Sequence, residues 1–191
     1  MCNPHCLAFI EALLTEDEAK EKRVLDSGAQ DVNGSARAIF AKLGAAEYIG
    51  TDIAPGKGVD QIVNASDLVS TFGKATFDTV VSTEVLEHVR DWVTTISNYK
   101  RLLKPGGVLY LTTRSKGFPF HEYPEDHWRF SYENMQAIFA DFEIINVMDD
   151  PLEPGVFIKA RRPKRFKELT PEQYEAIPVW SIDAERASYN Q

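Results

Sequence analysis

The sequence predicts an α/β fold: a mostly parallel seven-stranded sheet with helices on both faces and an antiparallel hairpin at the C-terminal edge. Strand-like and helix-like patterns alternate over residues 22–140, which is typical of right-handed βαβ units. The runs FDTVVS (77–82) and VLYLTT (108–113) lack polar alternation, as do strands buried on both faces of a parallel sheet. Two late strands (142–148 and 156–160) flank a Pro-containing turn, which favours the hairpin. The arrangement is Rossmann-like.

Length, charge and hydropathy narrow the class of protein. A chain of 191 residues predicts one domain with peripheral additions, and its net charge of -8 disfavours a nucleic-acid backbone as partner. No apolar run approaches the roughly 20 residues that span a bilayer. The N-terminus lacks the basic and then apolar pattern of a signal peptide. We therefore expect a cytoplasmic protein without nucleic-acid or membrane partners.

The pattern also predicts how the chain is divided. A domain over residues 1–162 would begin with a short helical lead-in (1–21), and a tail would follow over 163–191. The tail opens with a basic patch, and Thr170-Pro171-Glu172 is a typical helix start, so the tail would contain a short helix. We expect the tail to pack on the domain surface, and the alternatives are an oligomer arm, which leaves a homodimer open, or a substrate cover.

The loop after the first predicted strand, VLDSGAQDVNGS, indicates the charge of a ligand. Gly28 permits a tight turn and close approach to the backbone. The dinucleotide fingerprint G-x-G-x-x-G is absent, because Ala29 stands where the second glycine belongs. Asp26 and Asp31 would repel a pyrophosphate but attract the sulfonium and ammonium of S-adenosylmethionine.

Acidic residues follow two further predicted strands. Asp52 ends the second strand, where a carboxylate can accept hydrogen bonds from both hydroxyls of a ribose; nicotinamide and adenosylmethionine enzymes share this feature. Asp67 and Leu68 follow the third strand and could contact an adenine. The alternative for Asp67 is a helix N-cap.

Five segments in order, VLDSGAQDVNGSAR, YIGTDIAPGKGVD, NASDL, FDTVVSTEVLEHVRDW and LKPGGVLYLTT, resemble the class I S-adenosylmethionine-dependent methyltransferases, and most of all the small methyltransferase-domain proteins of the general type 11. The resemblance covers about residues 22–160. The sequence departs from the family in its sparse glycines and in Ser27, where an apolar residue is usual. The resemblance implies cofactor contacts at Asp26, Gly28, Gln30, Asp31, Asn33, Asp52, Ile53, Asp67, Leu68, Ser82 and Thr83.

Methyl transfer is an in-line displacement that requires an aligned acceptor, and a hydroxyl or ammonium acceptor also needs a base. The candidate catalytic residues are Glu84, His88 and His121. Glu84 and His88 are four residues apart, so they would share a helix face. The alternative is that Glu87 and His88 cap and orient the next helix.

The stretch GFPFHEYPEDHWRFS (117–131) follows the fifth strand and is long for such a connection, which favours a functional loop. It predicts an acceptor wall. The alternative is a self-contained plug in which Asp126 pairs with Arg129. The predicted substrate-binding residues of this strand end and loop are Arg114, Tyr123, Asp126, His127, Trp128 and Arg129.

Two metal sites were weighed, and we expect neither. Cys2, His5 and Cys6 lie together in CNPHC, but a closed zinc site needs about four ligands and no second cluster supplies the rest. A set made of His121, Glu122, Asp126 and His127 is conceivable, but methyl transfer needs no metal.

The sequence therefore predicts an S-adenosylmethionine-dependent methyltransferase that acts on a small molecule at oxygen or nitrogen, with S-adenosylhomocysteine as product. One alternative is a non-catalytic subunit that binds either cofactor form. A nicotinamide-dependent oxidoreductase is a further alternative, against which the missing fingerprint and Asp31 count.

Overall fold

A computed structural model describes residues 4–122 and 124–182. Its main sheet has seven strands in the order β3-β2-β1-β4-β5-β8-β7, and β6 and β9 form a separate two-stranded sheet. The strands are β1 (Arg23–Ser27), β2 (Glu47–Asp52), β3 (Gln61–Ile62), β4 (Phe77–Thr83), β5 (Leu103–Arg114), β6 (Trp128–Arg129), β7 (Glu143–Asp149), β8 (Gly155–Arg161) and β9 (Trp180–Ser181).

The strand directions confirm the predicted fold class. Strands β1 to β5 pair in parallel, whereas β8 is antiparallel to both β5 and β7. The β7–β8 hairpin therefore closes one edge of the sheet, as the two late apolar runs predict.

The helices are α1 (Pro4–Leu13), α2 (Glu16–Ala19), α3 (Arg37–Lys42), α4 (Leu68–Phe72), α5 (Trp92–Leu102), α6 (Tyr132–Ile138) and α7 (Pro171–Glu175), with 3₁₀ helices at Ala65–Asp67 and Leu86–His88. The predicted helix start at Thr170 is confirmed, and α6 begins with the same kind of cap. The side chain of Ser131 accepts a hydrogen bond from Asn134 N–H at the start of α6, and Thr170 caps α7 in the same way.

Alternate residues of the central strands face two different cores, because successive side chains of a strand point to opposite faces of the sheet. On β1, Leu25 faces the core built with α4, α5, α6 and α7, while Val24 faces the core built with α1, α2 and α3. Val80 and Val81 divide in the same way on β4. Helices therefore cover both faces, as expected.

One strand start differs from the prediction. The sequence places the fifth strand at 108–113, with the KPGG segment acting as a helix stop, but β5 already begins at Leu103. Gly106 has φ +85, and the β4–β5 pairing shifts register between Phe77 and Thr79. A bulge thus lets the Pro-Gly-Gly segment join the strand.

The parallel arrangement brings several chain segments to one edge. The carboxyl ends of β1, β2, β4 and β5 lie at Ser27, Asp52, Thr83 and Arg114. In open α/β sheets, ligands bind beyond this edge. The loops that leave these strands are therefore the place to look for a site.

The described part of the tail packs into the larger core. Tyr174 of α7 is buried there, and Phe166, Leu169, Ile177 and Val179 pack against it. The buried ammonium of Lys100 donates to Tyr174 Oη (2.9 Å), to the Ile138 carbonyl (2.5 Å) and to Asp141 Oδ1 (2.7 Å). The division at residue 162 stays a prediction. None of the helices in residues 4–122 and 124–182 is long and apolar enough to cross a membrane.

Replacing Lys100 by Met should lower the free energy of unfolding by about 3–5 kcal/mol, because the buried Asp141 would lose its counter-ion. Urea denaturation followed by fluorescence measures the loss. Lys104→Met is the control, since its pair with Asp78 is partly exposed and should change stability by less than ~1 kcal/mol. Equal losses in the two variants would contradict this account of Lys100.

Candidate active site

A cavity of about 550 Å³ opens at the carboxyl edge of the sheet. The loops after β1, β2, β3 and β4 and the start of α5 line it, and Pro124 and Glu125 close one side. Eight predicted site residues contribute to its wall. They are Asp26, Gly28, Gln30, Asp52, Ile53, Thr83, Glu84 and His88.

Asp26 is the buried charge of this cavity. Its Oδ2 accepts a hydrogen bond from the Tyr48 hydroxyl (2.6 Å), while its buried Oδ1 has no hydrogen-bond partner among the described residues. Burial raises the pKa of Asp26 to about 6, although Tyr48 and Arg37 lower it. A carboxylate held this way favours a cationic ligand, which would supply the missing partner.

Gly28 has to be glycine for two reasons. Its φ is +82, and a Cβ at this position would lie 2.0 Å from Val85 Cγ2. Its N–H donates to the Thr51 carbonyl (2.8 Å), which ties the end of β1 to β2. The loop is thereby held close to Val85, which also lines the cavity.

Asp52 and Ile53 follow β2 and present a polar and an apolar surface side by side. Asp52 Oδ1 accepts from Ala54 N–H (3.2 Å) and Oδ2 from Gln30 N–H (3.4 Å). Ile53 is 52% exposed although it is large and apolar. This pair suits a ligand that has a hydroxylated sugar joined to a flat ring.

After β3 the structure differs from the expectation. Leu68 is completely buried in the larger core, and neither it nor Asp67 lines the cavity. Asp67 does occupy the N-cap position of α4, as the alternative predicts, but its side chain makes no capping hydrogen bond. A 3₁₀ turn intervenes here, and the cavity is lined by the residues just before Asp67 instead. They are Val63, Asn64, Ala65 and Ser66.

Three further residues expected at the cofactor lie elsewhere. Asp31 pairs with Lys57 (2.6 Å) and accepts from Gly34 N–H (3.0 Å), and Asn33 is exposed. Ser82 is fully buried and shares a hydrogen bond with the Tyr99 hydroxyl (3.1 Å). None of the three lines the cavity. Because β4 alternates its faces, only Thr83 of the Ser82–Thr83 pair reaches the wall.

Glu84 occupies a strained position at the end of β4, with φ +57. Its carboxylate forms a buried ion pair with Arg114, and Arg114 also lies within 3.5 Å of Asp150 and 3.2 Å of Glu153. Burial and the charge of Glu87 raise the pKa of Glu84 well above its usual value, against the lowering effect of Arg114. Arg114 is therefore occupied within the protein and does not face an acceptor.

His88 and His121, two predicted catalytic residues, are neighbours although they are 33 positions apart. Their ring centroids are 4.8 Å apart. His88 Nδ1 lies 2.5 Å from the Glu125 carbonyl, so Nδ1 carries the proton that it donates. His88 lines the cavity, whereas His121 lies behind it on the loop after β5.

The loop after β5 is largely self-contained. Asp126 accepts from both terminal nitrogens of Arg129 (2.5 and 2.7 Å) and from His121 N–H (2.8 Å). Arg129 also donates to the Phe118 and Pro119 carbonyls, so its guanidinium is not presented to an acceptor. The Asp126–Arg129 pair therefore agrees with the alternative in which this loop is a self-contained plug.

The other predicted acceptor residues are also held by the protein. Trp128 Nε1 donates to the Val89 carbonyl (2.9 Å), and His127 Nε2 lies 3.0 Å from Glu125 Oε2. Tyr123 lies outside the described residues.

Sequence reasoning missed part of the wall. Asn64 and Ala65 stand just before the predicted Asp67–Leu68 pair, so the segment was identified but not the residues. Arg90 and Asp91 precede α5, where the N-cap aspartate was a usable signal. Pro124 and Glu125 reach the cavity only through the fold of their loop, and no local pattern marks them.

A family model for the methyltransferase domain matches residues 4–151. A ubiquinone biosynthesis O-methyltransferase of Xanthomonas euvesicatoria is 33% identical over 127 residues, which is 60% of this chain and 51% of that protein. The chain spans about half the length of the curated relatives it matches.

Solved structures share the fold. The 1,6-didemethyltoxoflavin-N1-methyltransferase of Burkholderia thailandensis, with S-adenosylhomocysteine bound, has a TM-score of 0.67 and 18% identity, covering 83% of this chain and 78% of that one. Phosphoethanolamine N-methyltransferase 1 of Haemonchus contortus has a TM-score of 0.68 and 16% identity, covering 98% and 48%. The chain therefore belongs to the methyltransferase domain family, and its sheet has the fold of the class I S-adenosylmethionine-dependent methyltransferases.

Proposed function

We propose that this protein transfers a methyl group from S-adenosylmethionine to an oxygen or nitrogen of a small molecule, in the cytoplasm. The observation that carries the proposal is the buried Asp26 in the wall of the cavity, with one oxygen unpartnered. The relatives support it, since they include an O-methyltransferase and N-methyltransferases. A homodimer stays a prediction.

The charges of the cavity wall support this cofactor over a dinucleotide. Five acidic residues line it, namely Asp26, Asp52, Glu84, Asp91 and Glu125, against a single arginine, Arg90. A pyrophosphate would meet a mostly negative wall, which counts against the nicotinamide alternative. S-adenosylmethionine is cationic at its sulfonium and its ammonium, so the wall is complementary to it.

The residues of this chain would divide the task between them. Asp26 would hold the ammonium, Asp52 the ribose hydroxyls, and Ile53 together with Val63 and Ala65 the adenine ring. When bound, the cofactor supplies an activated methyl group. Thr83 and Val85 then flank the position where an acceptor would have to lie, and His88 is the predicted base that also lines the cavity.

Affinity for S-adenosylhomocysteine should fall as the pH drops through about 6, because Asp26 is ionised above its pKa of about 6 and neutral below it. Only about a tenth of the carboxylate is ionised one unit below the pKa, so affinity at pH 5 should be roughly tenfold lower than at pH 7.5. Isothermal titration calorimetry measures this. Asp26→Asn should bind weakly at every pH and lose the slope; if the variant keeps the slope, Asp26 is not the group responsible.

Asp52→Ala should weaken S-adenosylmethionine binding by about 10- to 100-fold, since hydrogen bonds to a charged group contribute about 1.5–3 kcal/mol. Asp67→Ala is the matched control: another aspartate near the adenine end, but outside the cavity wall. It should change affinity less than about threefold, in keeping with substitutions away from a contact. Equal losses would argue against this placement of the cofactor.

Transfer of a tritiated methyl group distinguishes an enzyme from a non-catalytic binding subunit. Small phenols, catechols and primary amines, followed by fractionated cell metabolites, are offered as acceptors. We expect label in at least one small acceptor, and about 10- to 100-fold less label with Asp52→Ala when the cofactor is far below saturation. Tight cofactor binding with no transfer to any fraction would favour the binding subunit.

A further inference from the structure

Glu87, His88 and His121 form a cluster of which the proposed methyl transfer uses only His88. One ligand atom from each residue lies within 4.8 Å of the other two. Glu87 Oε1 and His88 Nε2 are 3.7 Å apart. The three residues come from two segments, the 3₁₀ helix after β4 and the loop after β5, so the fold brings them together.

Each member of the cluster has a buried polar atom without a hydrogen-bond partner among the described residues. These atoms are Glu87 Oε1, His88 Nε2 and His121 Nδ1. The side chain of Glu87 is 0% exposed and that of His88 is 9% exposed. Buried polar groups without partners are rare and costly, so three of them in one place call for a ligand that satisfies all three.

The surrounding hydrogen bonds fix the ligand atoms of His88 and Glu87 as acceptors. His88 Nδ1 donates to the Glu125 carbonyl, so Nε2 is left with a free lone pair. Thr113 Oγ1 donates to Glu87 Oε2 (2.8 Å), which orients the carboxylate and leaves Oε1 for the cluster. Metal-binding side chains are typically held by such second bonds.

The negative charge of Glu87 is not neutralised by the neighbouring arginines, because both pair with other acids. Arg114 pairs with Glu84, and Arg129 pairs with Asp126. Asp126 Oδ2 also lies 3.1 Å from His121 Nδ1 without forming a hydrogen bond. Among residues 4–122 and 124–182, Glu87 lies within ion-pair distance of His88, which carries a charge only when it is protonated.

From this geometry we infer that Glu87, His88 and His121 bind a divalent transition metal of the zinc type. Two imidazoles and one carboxylate match the ligands that zinc takes in sites that keep a position open. Ligand atoms of a tetrahedral zinc are about 3.3 Å apart, so ligand atoms as far apart as 4.8 Å must approach one another by about 1.5 Å, which the partly exposed loop residue His121 allows.

This set differs from both metal sites considered in the sequence. Glu122 is exposed and His127 faces Glu125, so neither joins the cluster. His88 also lines the cofactor cavity, which places the metal beside it. A bound metal would make His88 and His121 ligands rather than bases.

Isothermal titration of the chelator-treated full chain with Zn²⁺ tests the inference. We expect about one zinc ion per chain with micromolar or tighter affinity, and a loss of roughly tenfold or more in Glu87→Gln and in His121→Ala. His127→Ala is the matched control, a histidine of the same loop outside the cluster, and should keep the affinity. Far-UV circular dichroism and thermal unfolding without metal verify that each variant is folded.

The visible spectrum of the Co²⁺ form provides a second readout that does not depend on the stability of the variants. We expect d–d bands typical of a low-coordinate nitrogen and oxygen site, without a thiolate charge-transfer band. Such a charge-transfer band would instead place the metal on the CNPHC segment and overturn the inference. Absence of zinc binding, or equal losses in His121→Ala and His127→Ala, would overturn it too.

The experiment separates this inference from the proposed function. Zinc binding is measured without cofactor or acceptor, so a chain that binds zinc but not S-adenosylmethionine would contradict only the methyltransferase proposal. The reverse result would contradict only the metal site.

Discussion

The carboxyl edge of the sheet depends on how this protein neutralises buried acids. Four carboxylates meet there, from Glu84, Glu87, Asp150 and Glu153, and Arg114 at the end of β5 lies within ion-pair distance of three of them. The guanidinium thereby joins the end of β4 to the β7–β8 turn, and the Phe118 ring covers it at 4.0 Å. Removing either partner of such a buried pair is costly, so the loops at this edge are held in place. Glu87 is the acid that Arg114 does not reach, and this gap is the physical reason for a cation at the His88–His121 cluster.

The same charge distribution distinguishes the open cavity from the self-contained loop beside it. Asp26 keeps one oxygen without a partner because the Tyr48 hydroxyl satisfies only the other oxygen. Asp126, by contrast, is completely satisfied by Arg129 and a backbone N–H. A paired carboxylate stabilises the loop, whereas an unpaired one favours a ligand. Both are buried aspartates near one edge of the sheet, and only their partners distinguish a binding group from a structural one.

The fold could be predicted because its signals are local and repeat along the chain. Apolar runs and caps such as Ser131 identify strands and helix starts without knowledge of the distant chain. The Leu103 start of β5 could not be predicted, since it depends on a bulge against β4. In the site, Gly28 and Asp52 could be predicted because they lie at the ends of strands that the sequence identifies. Leu68 illustrates the limit: one 3₁₀ turn decides whether a residue after a strand faces the cavity or the core.

Long-range pairing accounts for the remaining differences. Arg114 and Arg129 were expected to meet an acceptor, because a free arginine in a loop suits an anion. Arg114 instead has acidic partners 30 or more positions away, which only the folded chain brings near. Arg129 pairs with Asp126 three positions earlier, which is the local alternative that the sequence left open. The His88–His121 neighbourhood has the same origin, since 33 positions separate residues whose rings touch. The stretch 117–131 thus has a composite role: its arginine and aspartate hold the loop together, and the carbonyl of Glu125 and the ring of His121 bring it to His88 at the carboxyl edge of the sheet. Its density of charged and aromatic side chains is what a loop needs when it must be rigid and also provide ligands.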